Sequence, residues 1–318
     1  MNILVTGGSG FIGSHFIEEI LKRNDVTKVY NLDANTYASN KTLPFNGDNR
    51  YQKLTMDIAA PYFPSQKDYF NSLNLDYVVH FAAESHVDNS IKSPKKFIDT
   101  NIIGTFNLLE IFKDTTIKKF IHVSTDEVFG SLSYKESEFN IDSPYRPNSP
   151  YAASKASSDL LVRSYVKTFN FPAIITNCSN NFGPRQFPEK LIPVCINKLK
   201  NKEKIPLYGN GSNIRDWIYV KDHVNAIINV IQEGVVGKQY LIGGDNEISN
   251  IQLIHSIVAT YENITNQRVD WEWFEYVTDR KGHDFRYAID TKDFKLEFPQ
   301  WKLTDFTTNL KTTVQSYL

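Results

Sequence analysis

The glycine-rich junction at residues 6–13 limits what this 318-residue chain can fold into more than any other feature. Thr6-Gly7-Gly8-Ser9-Gly10-Phe11-Ile12-Gly13 follows an apolar run, residues 2–6, that reads as a buried strand, and it opens a helical pattern at about residues 11–23. The spacing is G-x-x-G-x-x-G. Gly7 permits a tight turn, Gly10 lets the backbone approach a pyrophosphate, and Gly13 lets the helix pack closely on the strand. The helix start offers free N–H groups and a positive dipole end to phosphate. Alone, such a triplet marks only a turn. Here a strand precedes it, a helix follows, and the next apolar run, residues 28–33, ends on an acid. That acid, Asp33, lies 20 residues beyond Gly13 (33 − 13). A carboxylate there accepts hydrogen bonds from ribose hydroxyls and repels a 2′-phosphate, so NAD is expected rather than NADP.

Further apolar runs at residues 76–82, 119–124 and 172–177 alternate with helical patterns at 97–112 and 151–169. Strand–helix alternation means parallel strands with helical crossovers, and continuous apolar strands fit a sheet covered on both faces. The expected fold is α/β, a Rossmann-type doubly wound parallel sheet with a smaller C-terminal substrate-binding region. Residues 1–177 are expected to form the dinucleotide-binding part. Residues 178–318 are expected to be mainly the substrate part, with 222–243 (a helix at 222–233, a strand at 238–242) returning to the first. Such sheets bind ligands beyond the carboxyl ends of their strands. After the strand-like residues 51–56, Asp57 and Ile58 are expected to touch the adenine, although a lone Asp after a strand is often a turn cap.

Tyr151-Ala152-Ala153-Ser154-Lys155 opens a helix just after Pro150. Residues i and i+4 share a helix face, so hydroxyl and ammonium can meet the same cleft. A nearby ammonium lowers a tyrosine pKa and makes it a general base. The string is common by chance; its place after the strand ending near Ser124 raises its weight. Ser124-Thr125-Asp126-Glu127-Val128 follows that strand and brings two adjacent carboxyl groups. Otherwise the pair would be a solvated, capping acidic loop.

A GxxGxxG start with YxxxK downstream resembles the extended short-chain dehydrogenase/reductase family. The Thr-Asp-Glu triplet narrows the resemblance to the nucleotide-sugar 4,6-dehydratases, most closely those acting on dTDP-glucose. It spans nearly the whole chain, through 82–88 (AAESHVD), 176–181 (TNCSNN), 183–193 (GPRQFPEKLIP), 215–217 (RDW) and 279–283 (DRKGH). Lys281 replaces a usual proline, and Phe129 and Phe182 each replace a tyrosine, keeping the ring.

The resemblance implies an NAD-dependent hydro-lyase of deoxysugar biosynthesis. Tyr151, with Lys155, would take the C4 hydroxyl proton, Thr125 would hydrogen-bond the C4 oxygen, Glu127 would remove the C5 proton, and Asp126 would protonate the departing C6 hydroxyl. Two neighbouring acids can take opposite roles only where their environments push their pKa values apart. On the cofactor side the resemblance places Phe11, Ile12, Ala34, Asn35, Thr36, Phe81, Ala82, Ala83, Glu84, Thr100 and Asn181. Ser85 would touch both ligands. On the substrate side it places Asn180, Lys190, Leu191, Pro206, Leu207, Tyr208, Asn250 and His283, with Arg215 and Arg280 on the diphosphate, for which planar guanidinium groups suit. A UDP-sugar epimerase or decarboxylase would share the glycine turn, Asp33, Tyr151 and Lys155, but would not need Asp126 and Glu127 together. A non-catalytic NAD-binding scaffold would be expected to have lost the Tyr/Lys pair. dTDP-glucose is favoured over UDP-glucose, and a homodimer through helices 97–112 and 151–169 is implied.

A formal net charge of −1 argues against a phosphate-backbone binder, so no nucleic-acid partner is expected. No apolar stretch approaches a membrane span and no signal peptide is seen, so a cytoplasmic enzyme without membrane contact is expected. Two cysteines, Cys178 and Cys195, make neither a disulfide framework nor a metal site.

Overall fold

The computed structural model describes residues 1–61 and 63–318. The described strands, in chain order, are β1 (Asn2–Thr6), β2 (Lys28–Asp33), β3 (Tyr51–Thr55), β4 (Tyr77–His80), β5 (Lys119–Thr125), β6 (Ala173–Cys178), β7 (Asn180–Phe182), β8 (Ile205–Tyr208), β9 (Ile214–Tyr219), β10 (Gln239–Ile242), β11 (Glu247–Ser249) and β12 (Phe274–Val277). Seven form one sheet in the order β10-β6-β5-β4-β1-β2-β3, every pair parallel. Leu4 is paired with Tyr30 on one side and Val78 on the other. From β1 the chain winds outward to β3, then returns to lay β4 on the opposite side of β1. Strand order reverses there, which opens a crevice at the carboxyl ends.

Alternation along the strands feeds two apolar layers. Ile3, Val5, Val79 and Ile121 pack with Phe16 of the helix Phe11–Ile20 and with Val224 and Ile227 of the helix Val220–Glu233. Leu4, Leu32, Val78 and Phe120 face the other way, onto Leu108 and Phe112 of the helix Gly104–Phe112 and Val162 of the helix Pro150–Phe169. The sheet is therefore doubly wound, as the pattern of apolar runs implied. Strand β10 pairs in parallel with β6, bringing the chain back to the main sheet after its excursion through residues 180–219.

Three boundaries depart from the sequence reading. The first helix stops at Ile20, where Lys22 N–H bonds back only to Glu19 in a tightened last turn. Only Tyr77–His80 of residues 76–82 pairs as strand; beyond it the backbone of Phe81 and Ala82 passes against Gly7. The helix expected at 97–112 is a short helix at Pro94–Phe97, a π-helical turn at Ile98–Ile103, then Gly104–Phe112.

Two small sheets complete the molecule: β7 lies parallel and β11 antiparallel to β9, and β8 lies parallel to β12. Among the described residues no helix is long and apolar enough to cross a membrane.

Candidate active site

A cavity of about 640 Å³ lies at the carboxyl ends of β1, β2, β4, β5 and β6, and residues of β7, β8, β9 and the 280–287 segment wall its far side. It collects Gly7, Gly10, Phe11, Ile12, Gly13, Asp33, Ala34, Thr36, Asp57 and Ile58 at one end. Gly7 holds φ +69°, and a Cβ there would sit 2.7 Å from the Ala82 backbone. A Cβ on Gly13 would sit 2.4 Å from the Gly7 carbonyl oxygen. Both positions therefore need glycine, one for its conformation and both for close approach. Asp33 Oδ2 accepts from Ser9 N–H at 2.9 Å; Oδ1 accepts from Asn35 N–H at 2.8 Å and from the Ser39 hydroxyl at 2.9 Å. Those three bonds fix the carboxylate and leave acceptor capacity toward the cavity. A side-chain-free cradle at a helix N-terminus beside an oriented carboxylate fits the pyrophosphate and ribose of a dinucleotide.

Asn35 departs from expectation. It sits at φ +54°, spends its N–H on Asp33 and its amide on Thr55 Oγ1, and does not line the cavity. Asp57 lines the cavity and also accepts from Ala59 N–H as a turn cap. Phe81, Ala82, Ala83, Glu84, Ser85, Thr100 and Asn181 all line the wall.

The catalytic candidates come together at the end of β5. Thr125 ends the strand, and Asp126–Phe129 form one 3₁₀ turn whose N-cap is Thr125, accepting from Glu127 N–H. This brings both acids into the cavity beside Tyr151. Asp126 is 1% exposed, its Oδ1 meets the Thr125 hydroxyl at 3.3 Å, and its Oδ2 has no partner. Burial, then the charges of Glu127 and Asp216, hold its carboxyl well above the ordinary carboxylate range. Burial also raises Glu127, but Lys190 and Arg215 oppose it. Both carboxyl groups are raised, and Asp126 is held to its proton more firmly than Glu127.

The Tyr151–Lys155 pair behaves differently from the sequence expectation. Lys155 is 4% exposed and its Nζ donates to the Val123 carbonyl at 2.9 Å. Burial pushes the Tyr151 hydroxyl well above its ordinary value, Glu127 adds to this, and Thr125 hydrogen bonding pulls the other way. In this arrangement the ammonium does not lower the tyrosine: desolvation and an adjacent anion outweigh it.

The opposite end of the cavity carries the cations. Lys190 Nζ donates to the Ser85 carbonyl at 2.8 Å. Arg215, 7% exposed on β9, donates to the Ile214 and Asp284 carbonyls at 2.7 and 2.9 Å and lies 4.3 Å over the Tyr287 ring. Arg280 pairs with Asp88 and stacks over Tyr208. Asn180, Leu191, Pro206, Asn250 and His283 also line this end. Leu207 does not. Side chains alternate along β8, so Pro206 and Tyr208 face the cavity while Leu207, 2% exposed, joins the core.

With the geometry in place, comparison with known proteins is direct. The model of the family described as GDP-mannose 4,6 dehydratase matches residues 4–313. The dTDP-glucose 4,6-dehydratase of Neisseria meningitidis is 44% identical over 333 aligned positions, covering 99% of this chain and 93% of that one. This chain belongs to the nucleotide-sugar 4,6-dehydratase family. Its relatives include a dTDP-glucose 4,6-dehydratase of Escherichia coli, 43% identical over 100% of this chain and 93% of that one. A solved structure of the Streptomyces venezuelae dTDP-glucose 4,6-dehydratase DesIV, with NAD bound, matches with a TM-score of 0.91 at 39% identity, covering 100% of this chain and 97% of that one.

For a 4,6-dehydratase site, sequence reasoning missed four useful side chains. Asn101, on the π turn, accepts from Glu84 N–H at 2.9 Å and donates to the Glu84 carbonyl and to Ser154 Oγ at 3.0 and 2.8 Å. It ties the loop after β4 to the helix that carries Tyr151. Asp88, Asp284 and Tyr287 flank the arginines. Asp88 lay inside a quoted motif, but nothing local marks its pairing with a residue 192 positions away.

Proposed function

We propose that this protein catalyses the NAD-dependent 4,6-dehydration of dTDP-glucose to its 4-keto-6-deoxy form. One observation carries the reading: two adjacent acids with unequal hold on their protons, Asp126 and Glu127, share a cavity wall with Tyr151 at the end of β5. An epimerase needs no such pair. Bound NAD supplies a hydride acceptor that takes hydride from C4 and returns it to C6, so it ends each cycle as it began. Tyr151 must give up its own proton, against the burial that holds it, before it takes the C4 hydroxyl proton, while Thr125 hydrogen-bonds the same oxygen. The C4 ketone makes the C5 hydrogen acidic. Glu127 removes it, Asp126 gives its proton to the C6 hydroxyl, and that group departs as water. Glu127 then returns the proton to C5. Asp126 is buried and Glu127 partly so, which limits the access of bulk water to these transfers.

Lys190, Arg215 and Arg280 supply positive charge for the diphosphate, and Pro206, Tyr208, Leu191 and Asn250 wall the nucleoside. Residues 178–318 then serve mainly the nucleotide-sugar, while 222–243 belong with 1–177 on the dinucleotide side; the β10–β6 pairing supports that division. The full-length likeness to dTDP-glucose dehydratases favours dTDP over UDP. The protein is read as a cytoplasmic homodimer. The free, buried Cys178 and Cys195 suit a reducing compartment. Exposed Ile98, Ile103 and Phe106 on one helix series and Leu160 and Phe169 on the other offer apolar cover for a second copy.

The test is incubation of the purified protein with NAD and either dTDP-glucose or UDP-glucose. The expected result is a 4-keto-6-deoxy product, seen by its absorbance in alkali, with the higher kcat/KM on dTDP-glucose. A 4-epimer, or no product, overturns the reading. Light scattering that returns a monomer overturns the dimer.

A further inference from the structure

Beneath Tyr151 and Lys155, on the same helix, lies a buried carboxylate that none of the catalytic steps above uses. Tyr151, Lys155 and Asp159 stand at i, i+4 and i+8, so they stack along one face of the helix Pro150–Phe169. Asp159 is 1% exposed. Its Oδ1 lies 3.1 Å from His122 Nε2, and its Oδ2 accepts from the Tyr145 hydroxyl at 3.0 Å and from the Asn177 amide at 3.1 Å. Three donors converge on one carboxylate and hold it in place. The His122 tautomer is consistent with this: Ser158 donates its hydroxyl to the Lys155 carbonyl, leaving Nε2–H free to donate to Asp159. Asn177 also donates to the Thr125 carbonyl at 3.0 Å, so the same network reaches the catalytic threonine from β6.

Lys155, by contrast, has among the described residues one hydrogen-bond partner, the neutral Val123 carbonyl. An ammonium enclosed this way is costly without an opposite charge.

We propose that Asp159 is a positioning residue for the catalytic pair: its buried carboxylate, anchored by Tyr145, His122 and Asn177, is the counter-charge that keeps Lys155 an ammonium beneath Tyr151. This rests on the reading of Tyr151 and Lys155 as catalytic. The other groups around Lys155 do not substitute for it. Cys178 holds its thiol protonated because burial raises it to about 12. His80 on β4 and His122 on β5 are held neutral by burial, and a charge on either would oppose the ammonium. Tyr151 itself is protonated in this arrangement. Burial lowers Lys155 and Asp159 is the foremost group raising it.

The experiment compares pH profiles of kcat and KM on dTDP-glucose for the unsubstituted chain, Asp159→Asn, Asp159→Glu and Tyr145→Phe, with melting temperatures alongside. The unsubstituted chain must first turn over; if it does not, the functional reading fails and not this proposal. In Asp159→Asn the alkaline fall of kcat is expected at least about one pH unit lower, so that turnover drops roughly tenfold or more on the alkaline side and recovers toward acid, with KM little changed. Asp159→Glu restores the profile, and Tyr145→Phe, which disturbs the same network but keeps the charge, leaves it in place. A purely structural residue would lower the rate equally at every pH. An Asp159→Asn profile parallel to the original, or one not rescued by Glu, overturns the proposal. If Asp159→Asn does not fold, the two charge-keeping variants decide: both must hold the alkaline limb within about half a unit of the original, and a larger acid shift in either overturns it.

Discussion

Arg280 holds Asp88 in a two-point ion pair, Nε to Oδ1 at 2.6 Å and Nη2 to Oδ2 at 3.0 Å, at the cavity end assigned to the diphosphate. The side chains are 23% and 24% exposed, so the pair is partly screened. A diphosphate that recruits this guanidinium must compete with Asp88. Asp88→Asn is therefore expected to lower the KM for the nucleotide-sugar about two- to fivefold, the equivalent of roughly 0.5–1 kcal/mol, with kcat little changed. An unchanged or raised KM would show that Arg280 stays with Asp88 when substrate is bound.

Asp126→Asn is expected to trade function for stability. The folded chain keeps a proton on Asp126 that the unfolded chain loses above about pH 3.8, so this group weakens the fold progressively as pH rises from 3.8 toward its raised value. Asparagine carries no such penalty. Melting scans should show the variant more stable than the original at pH 7, by about 1.5 °C for each kcal/mol relieved, with the difference vanishing near pH 3. Turnover should collapse while oxidation at C4, read as reduction of the bound dinucleotide, persists.

Acid should unfold the protein through its buried imidazoles. Burial lowers His15 to about 4 and His223 to about 3. His15 keeps one nitrogen on the Pro184 carbonyl and the other 3.9 Å from Glu18 Oε2; His223 keeps one on Asn181 Oδ1 and the other with no hydrogen-bond partner among the described residues. Below pH 6.5 the unfolded chain binds protons that the folded chain refuses, so stability falls with falling pH across about 6.5 to 3. His15 alone contributes a loss on the order of 3 kcal/mol. Denaturant titrations at pH 7 and 5 should show it, and His15→Asn should flatten the dependence.

Gly7→Ala is expected to cost both fold and cofactor. The positive φ adds about 1–2 kcal/mol of strain for a side chain, and the new methyl would press on the Ala82 backbone. A lower melting temperature with weakened NAD binding by calorimetry checks this. Normal NAD affinity would show that the turn can shift without harm.

Much of this is legible in the sequence. Strands β1 and β2 fall on the residues read for them because each is a continuous apolar run stopped by a glycine or an acid. The same logic brought Asp33, the Thr125–Glu127 triplet and Tyr151 to one cavity. Leu207 was misplaced although the rule was available: three consecutive strand residues cannot all face one side. The π turn was not legible because residues 98–103 carry no break in the helical pattern, and the Arg215–Tyr287 stack was not because its partners lie far apart in sequence. The unexpected protonation of Tyr151 has the same origin. A helix face foretells which groups share a direction, not how completely the surroundings strip them of water.

The π turn at Ile98–Ile103 has one more consequence. It fits an extra residue into a helix without lengthening its path by a full step, and that spare residue is what lets Asn101 point at Glu84 while Thr100 borders the cavity. Removing any single residue there would give a more regular helix and swing the following side chains by roughly 100°. The regular version would hold itself together better and its neighbours worse, so this segment should tolerate substitution on its outer side far more readily than any change in its length.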